Sequence, residues 1–323
     1  MALSHMKVFS DFAYAALTET VDQQVDKFNA ASRGAIVLQS AANVGDYAHE
    51  ASFALIANLV RTRDAYGSGA VSAVDVAQLQ NTSVKVAGGT PPVQWEPQQF
   101  DWIQRSPEEA GTVYGTQLAV GMLQHRLNLA ISALRAALLN NAAVSYTGGN
   151  GANATLNALN KGAALFGDRA GDIIAWVMHS KPLHDIYDAA LTNSSQLFQY
   201  GNVQVREDGF GRVLVVTDSP DLFGDEAGGV GVDHYYTLGL TSGAALVTDN
   251  GDFRTYEQTV LGNENVKRQL QSEWSFNLGL KGYGWDVATG GKSPTAAKVA
   301  TGANWDKTAT SQRDTAGVIV TTK

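Results

Sequence analysis

The chain has 323 residues, 44% of them hydrophobic and 17% charged, against about 25% charged in an ordinary soluble domain. Its net charge of −8 speaks against a dedicated nucleic-acid binder, which needs a concentrated basic patch. The absence of cysteine excludes disulfides, thiolate metal sites and thiol nucleophiles.

Met1 to Phe9 lacks the apolar core of a signal peptide, and no apolar run approaches the length of a membrane span, so a soluble protein with no membrane association is expected. The glycosylation-like triplets at Asn81, Asn153 and Asn193 then read as chance. Phe12, Ala16, Leu17, Val21, Val25 and Phe28 fit one amphipathic helix, and Phe53, Ile56 and Leu59 suggest a second over His49 to Val60. A helix-poor span follows from Arg61 to Trp102. Within it Ser83-Val84-Lys85-Val86 and Val93-Gln94-Trp95-Glu96 alternate as strands do, with Gly88-Gly89-Thr90-Pro91-Pro92 between them. This reads as a hairpin arm with no core beneath it. An isolated hairpin is marginal in water, so Val84, Val86, Val93 and Trp95 are expected to be buried against an adjacent subunit.

From Ser106 to about Ala143 the pattern predicts one long helix, roughly 55 Å at about 1.5 Å per residue. Ser106-Pro107-Glu108-Glu109 has the form of a capping box with Pro at the first helical position. Val113, Val120, Leu123, Leu127, Ile131, Leu134 and Leu138 make an apolar stripe. The opposite face carries Gln117, Gln124, Asn128, Ser132 and Asn140, with Arg126 and Arg135 the only full charges after the first turn. So few charges suggest a spine with its own domain on one side and a neighbouring chain on the other.

Tyr146 to Gly151 breaks the chain, and a compact α/β unit follows. Strands are expected at Asp172 to Met178, Val203 to Val205, Arg212 to Thr217, Tyr235 to Leu240 and Ala244 to Val247. Pro182 opens a helix through Leu191. Asn250-Gly251 reads as a tight hairpin turn before a strand over Phe253 to Leu261. Ser272 to Trp285 alternates as one long half-buried strand, and Val318-Ile319-Val320 suggests a last short one.

Motifs for chemistry fail on spacing. Gly290-Gly291-Lys292-Ser293 lacks the earlier glycine of a phosphate loop, since Asp286 stands there, and Pro294 blocks the helix that should follow. His179 and His184, near Asp185 and Asp188, are separated by Pro182 and do not read as sharing a helical face. Asp249-Asn250-Gly251-Asp252 lacks the downstream Glu of a calcium loop. Ser68 lacks the flanking pattern of a nucleophile elbow. No catalytic residue, cofactor or metal is expected.

The order of elements is more informative. Val84-Lys85-Val86-Ala87-Gly88-Gly89, then Phe100-Asp101-Trp102-Ile103, then Pro107-Glu108-Glu109-Ala110-Gly111 entering the helix resembles the major capsid proteins of tailed bacteriophages. So do Trp176 to Lys181, Val215 to Pro220, and Gly279 to Asp286 running on to Thr295. Their subunit fold is the Hong Kong 97 type, shared with herpesvirus capsid floors and encapsulins. No long charged scaffolding segment matches at the N-terminus.

The resemblance implies an α+β chain with an N-terminal arm (1–60), an extended loop (61–103), a peripheral domain with its spine helix (104–164), an axial domain (165–261), and peripheral return strands with a C-terminal tail (262–323). It implies a homo-oligomer of pentamers and hexamers closing into an icosahedral virion shell, made in the bacterial host cytoplasm. The shell would enclose double-stranded DNA without sequence-specific binding, assisted by scaffolding, portal and decoration proteins. The alternatives are an encapsulin-like compartment with protein cargo and an intracellular α/β enzyme.

Overall fold

The computed structural model describes residues 3–43, 45–53, 62–73, 78–96, 106–148, 151–192, 211–224, 233–262 and 264–323. The strand expected at Val203 to Val205, the Phe100 to Ile103 stretch and most of the helix expected over His49 to Val60 lie outside these residues.

Two long helices carry the fold. Helix α1 (Leu3–Ala31) extends the predicted segment at both ends, and α2 (Pro107–Asn140) is the spine. Pro107 and the acidic first turn of α2 stand as the sequence suggests, but the capping box does not form. Ser106 makes no side-chain cap, and its carbonyl instead accepts the Ala110 amide at 3.1 Å. The helices cross at close range because Gly111 and Gly115 face α1. A Cβ on Gly115 would lie 2.2 Å from the Ala13 carbonyl oxygen, and one on Gly111 2.5 Å from that of Phe9. Phe9, Leu17 and Val21 of α1 are buried at or near this contact.

The first sheet is organised by β12 (Lys267–Leu280), a 14-residue strand. On one edge it pairs antiparallel with β10 (Ala245–Asp249) and, further out, with β11 (Arg254–Val260). On its other edge it pairs with β3 (Gln78–Gly89) and then β4 (Val93–Trp95). β1 (Ile36–Ser40) adds parallel to β10, and β2 (Tyr47–Phe53) adds antiparallel to β3. Residues 49–53, expected as the start of a helix, are therefore strand.

Two expected hairpins are not hairpins. β3 and β4 run in the same direction along one edge of β12, with Gly89 opposite Glu273 and Val93 opposite Leu270. Proline has no amide proton, so Pro91 and Pro92 interrupt the ladder. Thr90 bridges the gap, donating its amide to the Ser272 carbonyl and accepting the Ser272 amide at Oγ1, each at 2.9 Å. On the opposite edge β10 and β11 are likewise collinear, and Asn250-Gly251 forms a bulge between them. Asp252 in that bulge takes the Ser275 amide at 2.7 Å. The arm expected to lack a core thus rests on its own sheet. The paired hairpin is β2 with β3.

Ser272 to Trp285 is not one alternating strand. Gly282, at φ +75°, turns the chain into β13 (Tyr283–Trp285), which pairs with β14 (Trp305–Lys307). Residues Trp274 to Leu278 are buried on both faces. Phe276 packs near the spine, with its ring 6.0 Å from His125, while Ser275 and Asn277 meet polar groups of the bulge.

The second sheet has the order β5 (Ser145–Tyr146), β15 (Gly317–Thr322), β9 (His234–Thr241), β6 (Ile173–Met178) and β7 (Val213–Val216), with the short β8 (Phe223–Gly224) also on β9. Helix α3 (Leu156–Ala163) and helix α4 (Ser180–Thr192), the latter starting before Pro182, flank β6 along the chain. The last strand, expected with the peripheral return, lies inside this sheet between β5 and β9. Conversely β10 and β11, expected in the axial segment, belong to the first sheet.

The spine joins the two sheets. Leu123, Ile131 and Leu134 are buried and Leu127 is half-buried, and between Leu129 and Leu138 only Arg135 is not fully buried. Its charge poverty therefore has a source within the chain, because its C-terminal half is buried and the helix packs against β9, β10, β12 and β15. Val113 and Val120 of the expected stripe instead face outward.

Gly115→Val should wedge α1 off the spine, lowering stability by about 1–3 kcal/mol and exposing α1 to protease. Gly121, where a Cβ meets nothing within 4 Å, is the control. Gly121→Ala should leave α1 docked and stabilise by up to about 1 kcal/mol. Thermal melting with limited proteolysis distinguishes the two.

Candidate inter-subunit surfaces

The four side chains expected at a neighbouring subunit separate on inspection. Val84 and Val86, on β3, are 0% and 2% exposed and belong to the main core of this chain. Trp95, at the end of β4, is 9% exposed in a smaller cluster with Phe9, Ala110, Leu270 and the partly buried Tyr114. Its ring centroid lies 6.3 Å from that of Phe9. These three residues have little surface to offer another chain. The error lay in assigning them to a free arm, since β12 and α1 supply the missing core. Val93, 40% exposed, alone keeps an outward face.

Other exposed groups collect at the ends of elements. Residues 62–73, in the connection between β2 and β3, are all exposed, and Tyr66 is 99% accessible. β11 is exposed along nearly its whole length, and Tyr256, Leu261 and Val266 lie bare on or beside its hairpin with β12. Phe12 and Tyr14 stand out from α1, with Val113 and Val120 on the outer side of the spine.

A cleft of about 530 Å³ runs between α1 and the β1–β10 edge, lined by Tyr14, Asp22, Asp26, Gln39, Arg126 and Asp249 among others. On it Arg126, 3% exposed, donates from its guanidinium to Asp249 at 2.8 Å. Sequence reading passed over this pair because 123 residues separate its members. The Gly111/Gly115 contact was legible in principle, since small residues recur at Gly111, Gly115 and Ala119.

The titratable groups that the sequence singled out make local pairs. His179 stands 3.5 Å from Asp218, which accepts the Ser180 amide, and Lys181 pairs with Asp185 at 2.6 Å. Hydrogen bonds from Ser180 hold the Asp218 carboxyl below its ordinary range. Among the described residues no group of three or more His, Cys, Asp or Glu is arranged to hold a metal ion. Lys292, within the failed phosphate-loop motif, pairs with Asp46 at 3.1 Å. Among the described residues no helix is long and apolar enough to cross a membrane.

His125 is a partly buried titratable group on the spine, its ring 6.0 Å from that of Phe276. Burial, and then the adjacent Arg126, hold its imidazole below the ordinary 6.5. The folded chain thus keeps it neutral where the unfolded chain takes up a proton. Its contribution is complete above about pH 6.5 and declines as pH falls below that value. His125→Gln should flatten the fall in melting temperature between neutral and mildly acidic pH. Trp95→Ala should cost about 3 kcal/mol in melting of the unassembled subunit.

Comparison with known proteins places this architecture. The Gp13-like family model, described as major capsid protein 13-like, matches residues 5–319. Among solved structures, the capsid of Ralstonia phage GP4 aligns at a TM-score of 0.50 and 12% identity, over 90% of this chain and 88% of that one. The head of Helicobacter pylori bacteriophage KHP40 aligns at 0.50 and 12%, over 91% and 88%. The cyanophage Pam1 capsid aligns at 0.50 and 9%, over 75% and 83%. At these identities the likeness carries the fold, which is the Hong Kong 97 type expected from the sequence. No curated protein matches the chain in sequence.

Proposed function

The chain belongs to the Gp13-like family of major capsid proteins, and from that premise we propose how this structural protein of the tailed-phage virion meets its own copies. The observation that carries the proposal is the β2–β3 hairpin. Its described connection is entirely exposed and ends in bare aromatic and aliphatic groups, Tyr66 and Val71 among them. In a monomer such groups have no role, whereas across a neighbour they remove apolar surface from water at about 25 cal/mol per Å². The hairpin is thus the extended loop, displaced from the 61–103 segment to begin at β2.

In this reading the first sheet and the spine form the peripheral domain. The second sheet, which includes the C-terminal β15, forms the axial domain around the capsomer axis. Val93 contributes to a subunit contact on the open side of β4, while Leu123, Leu127, Ile131 and Leu134 hold the spine within its own subunit. Pentamers and hexamers close into an icosahedral shell around double-stranded DNA, with scaffolding, portal and decoration proteins as partners and without catalysis. The net charge of −8 suits a wall that encloses DNA without gripping its phosphates.

Purified protein, with its scaffolding partner where one is required, should sediment as capsomers or megadalton shells and show closed particles by negative stain. A chain that remains monomeric across salt and pH conditions contradicts the proposal. Val93→Asp together with Tyr66→Asp should cut particle yield while leaving the subunit's melting temperature within about 0.5 kcal/mol of wild type, as surface substitutions do.

A further inference from the structure

We propose that Asn250-Gly251 is a latent deamidation site, closed by the folded sheet and opened when the chain unfolds. The sequence contains two Asn-Gly pairs, Asn150-Gly151 and Asn250-Gly251. Asn followed by Gly is chemically labile because no Cβ obstructs the attack of the next residue's amide. The Gly251 nitrogen adds to Cγ of Asn250, forming a C–N bond and a cyclic imide. The side-chain nitrogen leaves as ammonia, carrying the proton that the Gly251 amide gives up. Solvent water then opens either imide carbonyl, giving aspartate or isoaspartate with no oxidation or reduction.

The fold opposes each part of this reaction. The nucleophile is occupied: the Gly251 amide donates to Oδ1 of Asp249 at 3.1 Å. That carboxylate is held in turn, because its Oδ2 accepts from the buried Arg126 at 2.8 Å. The electrophile is also fixed. Asn250 is 8% exposed, and its Nδ2 donates to Ser275 Oγ at 2.9 Å. Its Oδ1 accepts from the Asn43 amide at 3.3 Å and from Asn277 Nδ2 at 3.2 Å. Cyclisation needs the nitrogen and Cγ in a near-attack arrangement, which these bonds would have to break to permit.

The product would not fit the same place. An aspartate at 250 loses the donor that Ser275 Oγ accepts, and Ser275 already donates its own hydroxyl proton to Asp252. It would also set three carboxylates in the stretch 249–252, beside the strand that organises the sheet. An isoaspartate inserts an extra backbone carbon into the bulge and shifts its register. A chain that reacts while unfolded therefore returns to a damaged sheet.

The test uses full-length wild-type protein at mildly alkaline pH, folded and in urea, with peptides weighed by mass spectrometry over time. In urea, Asn150 and Asn250 should convert at comparable rates. In folded protein, Asn250 should convert at least about tenfold more slowly than in urea, as expected of a site that reacts only through opening. Equal rates at Asn250 in the two conditions overturn the proposal, as does an Asn250 that stays intact in urea while Asn150 reacts. Arg126→Gln, which frees Asp249, should speed conversion at Asn250 in folded protein and leave Asn150 unchanged. A folded R126Q protein with Asn250 as slow as in wild type overturns the part assigned to the carboxylate. If that variant fails to fold, the urea comparison still decides.

Discussion

Strand β12 has fourteen residues, and along nearly all of its length the backbone amides and carbonyls are satisfied from both sides by strands drawn from distant parts of the chain. Buried polar backbone groups without partners cost as much as a lost hydrogen bond, so β12 cannot be formed before β3, β4, β10 and β11 arrive. Its two faces impose further demands. Trp274, Phe276 and Leu278 lie on one face, with Phe276 against the spine. Ser275 and Asn277 lie on the other, where Ser275 bonds Asn250 and Asp252 and the Asn277 amide donates to Asn250. Segments near residues 90, 250 and 275 are thereby specified together.

The spine transmits this arrangement to the second sheet. Its buried C-terminal half carries Ala, Leu and Ile almost without charge, and the helix as a whole contacts β10 and β12 of the first sheet and β9 and β15 of the second. The low charge of the chain thus has two origins. Part of it belongs to a helix enclosed by its own domain. The remainder belongs to exposed uncharged groups such as Tyr66, Val93, Tyr256 and Leu261.

The two long helices, α4, most strands and the capsid fold were legible because their signals are local or sequential. Pro107 and the acidic turn announce the spine, alternating Val84 and Val86 announce β3, and unbroken apolar runs announce β6 and β15. Strand partners were not legible. Gly88 to Pro92 and Asn250-Gly251 have turn composition, yet each lies opposite an uninterrupted β12 and becomes a bulge, a distinction set by a strand well separated in sequence. The same limit misplaced Val84, Val86 and Trp95, whose alternation marked burial correctly while the burying partners, β12 and α1, lay elsewhere. The Arg126–Asp249 pair left no trace at all, since an Arg on a helix and an Asp near a turn are each ordinary alone.

The two interruptions flanking β12 fall almost level with each other. One lies opposite residues 271–272 and the other opposite 274–275. Side by side, they draw a crease across the three-stranded ribbon, with β12 the only strand running unbroken through it. A sheet is stiff along continuous ladders and soft where both flanks lose a rung. The crease, at Thr90, Pro91, Pro92 and the 250–253 bulge, is therefore where this sheet departs from a regular ladder on both sides of one strand.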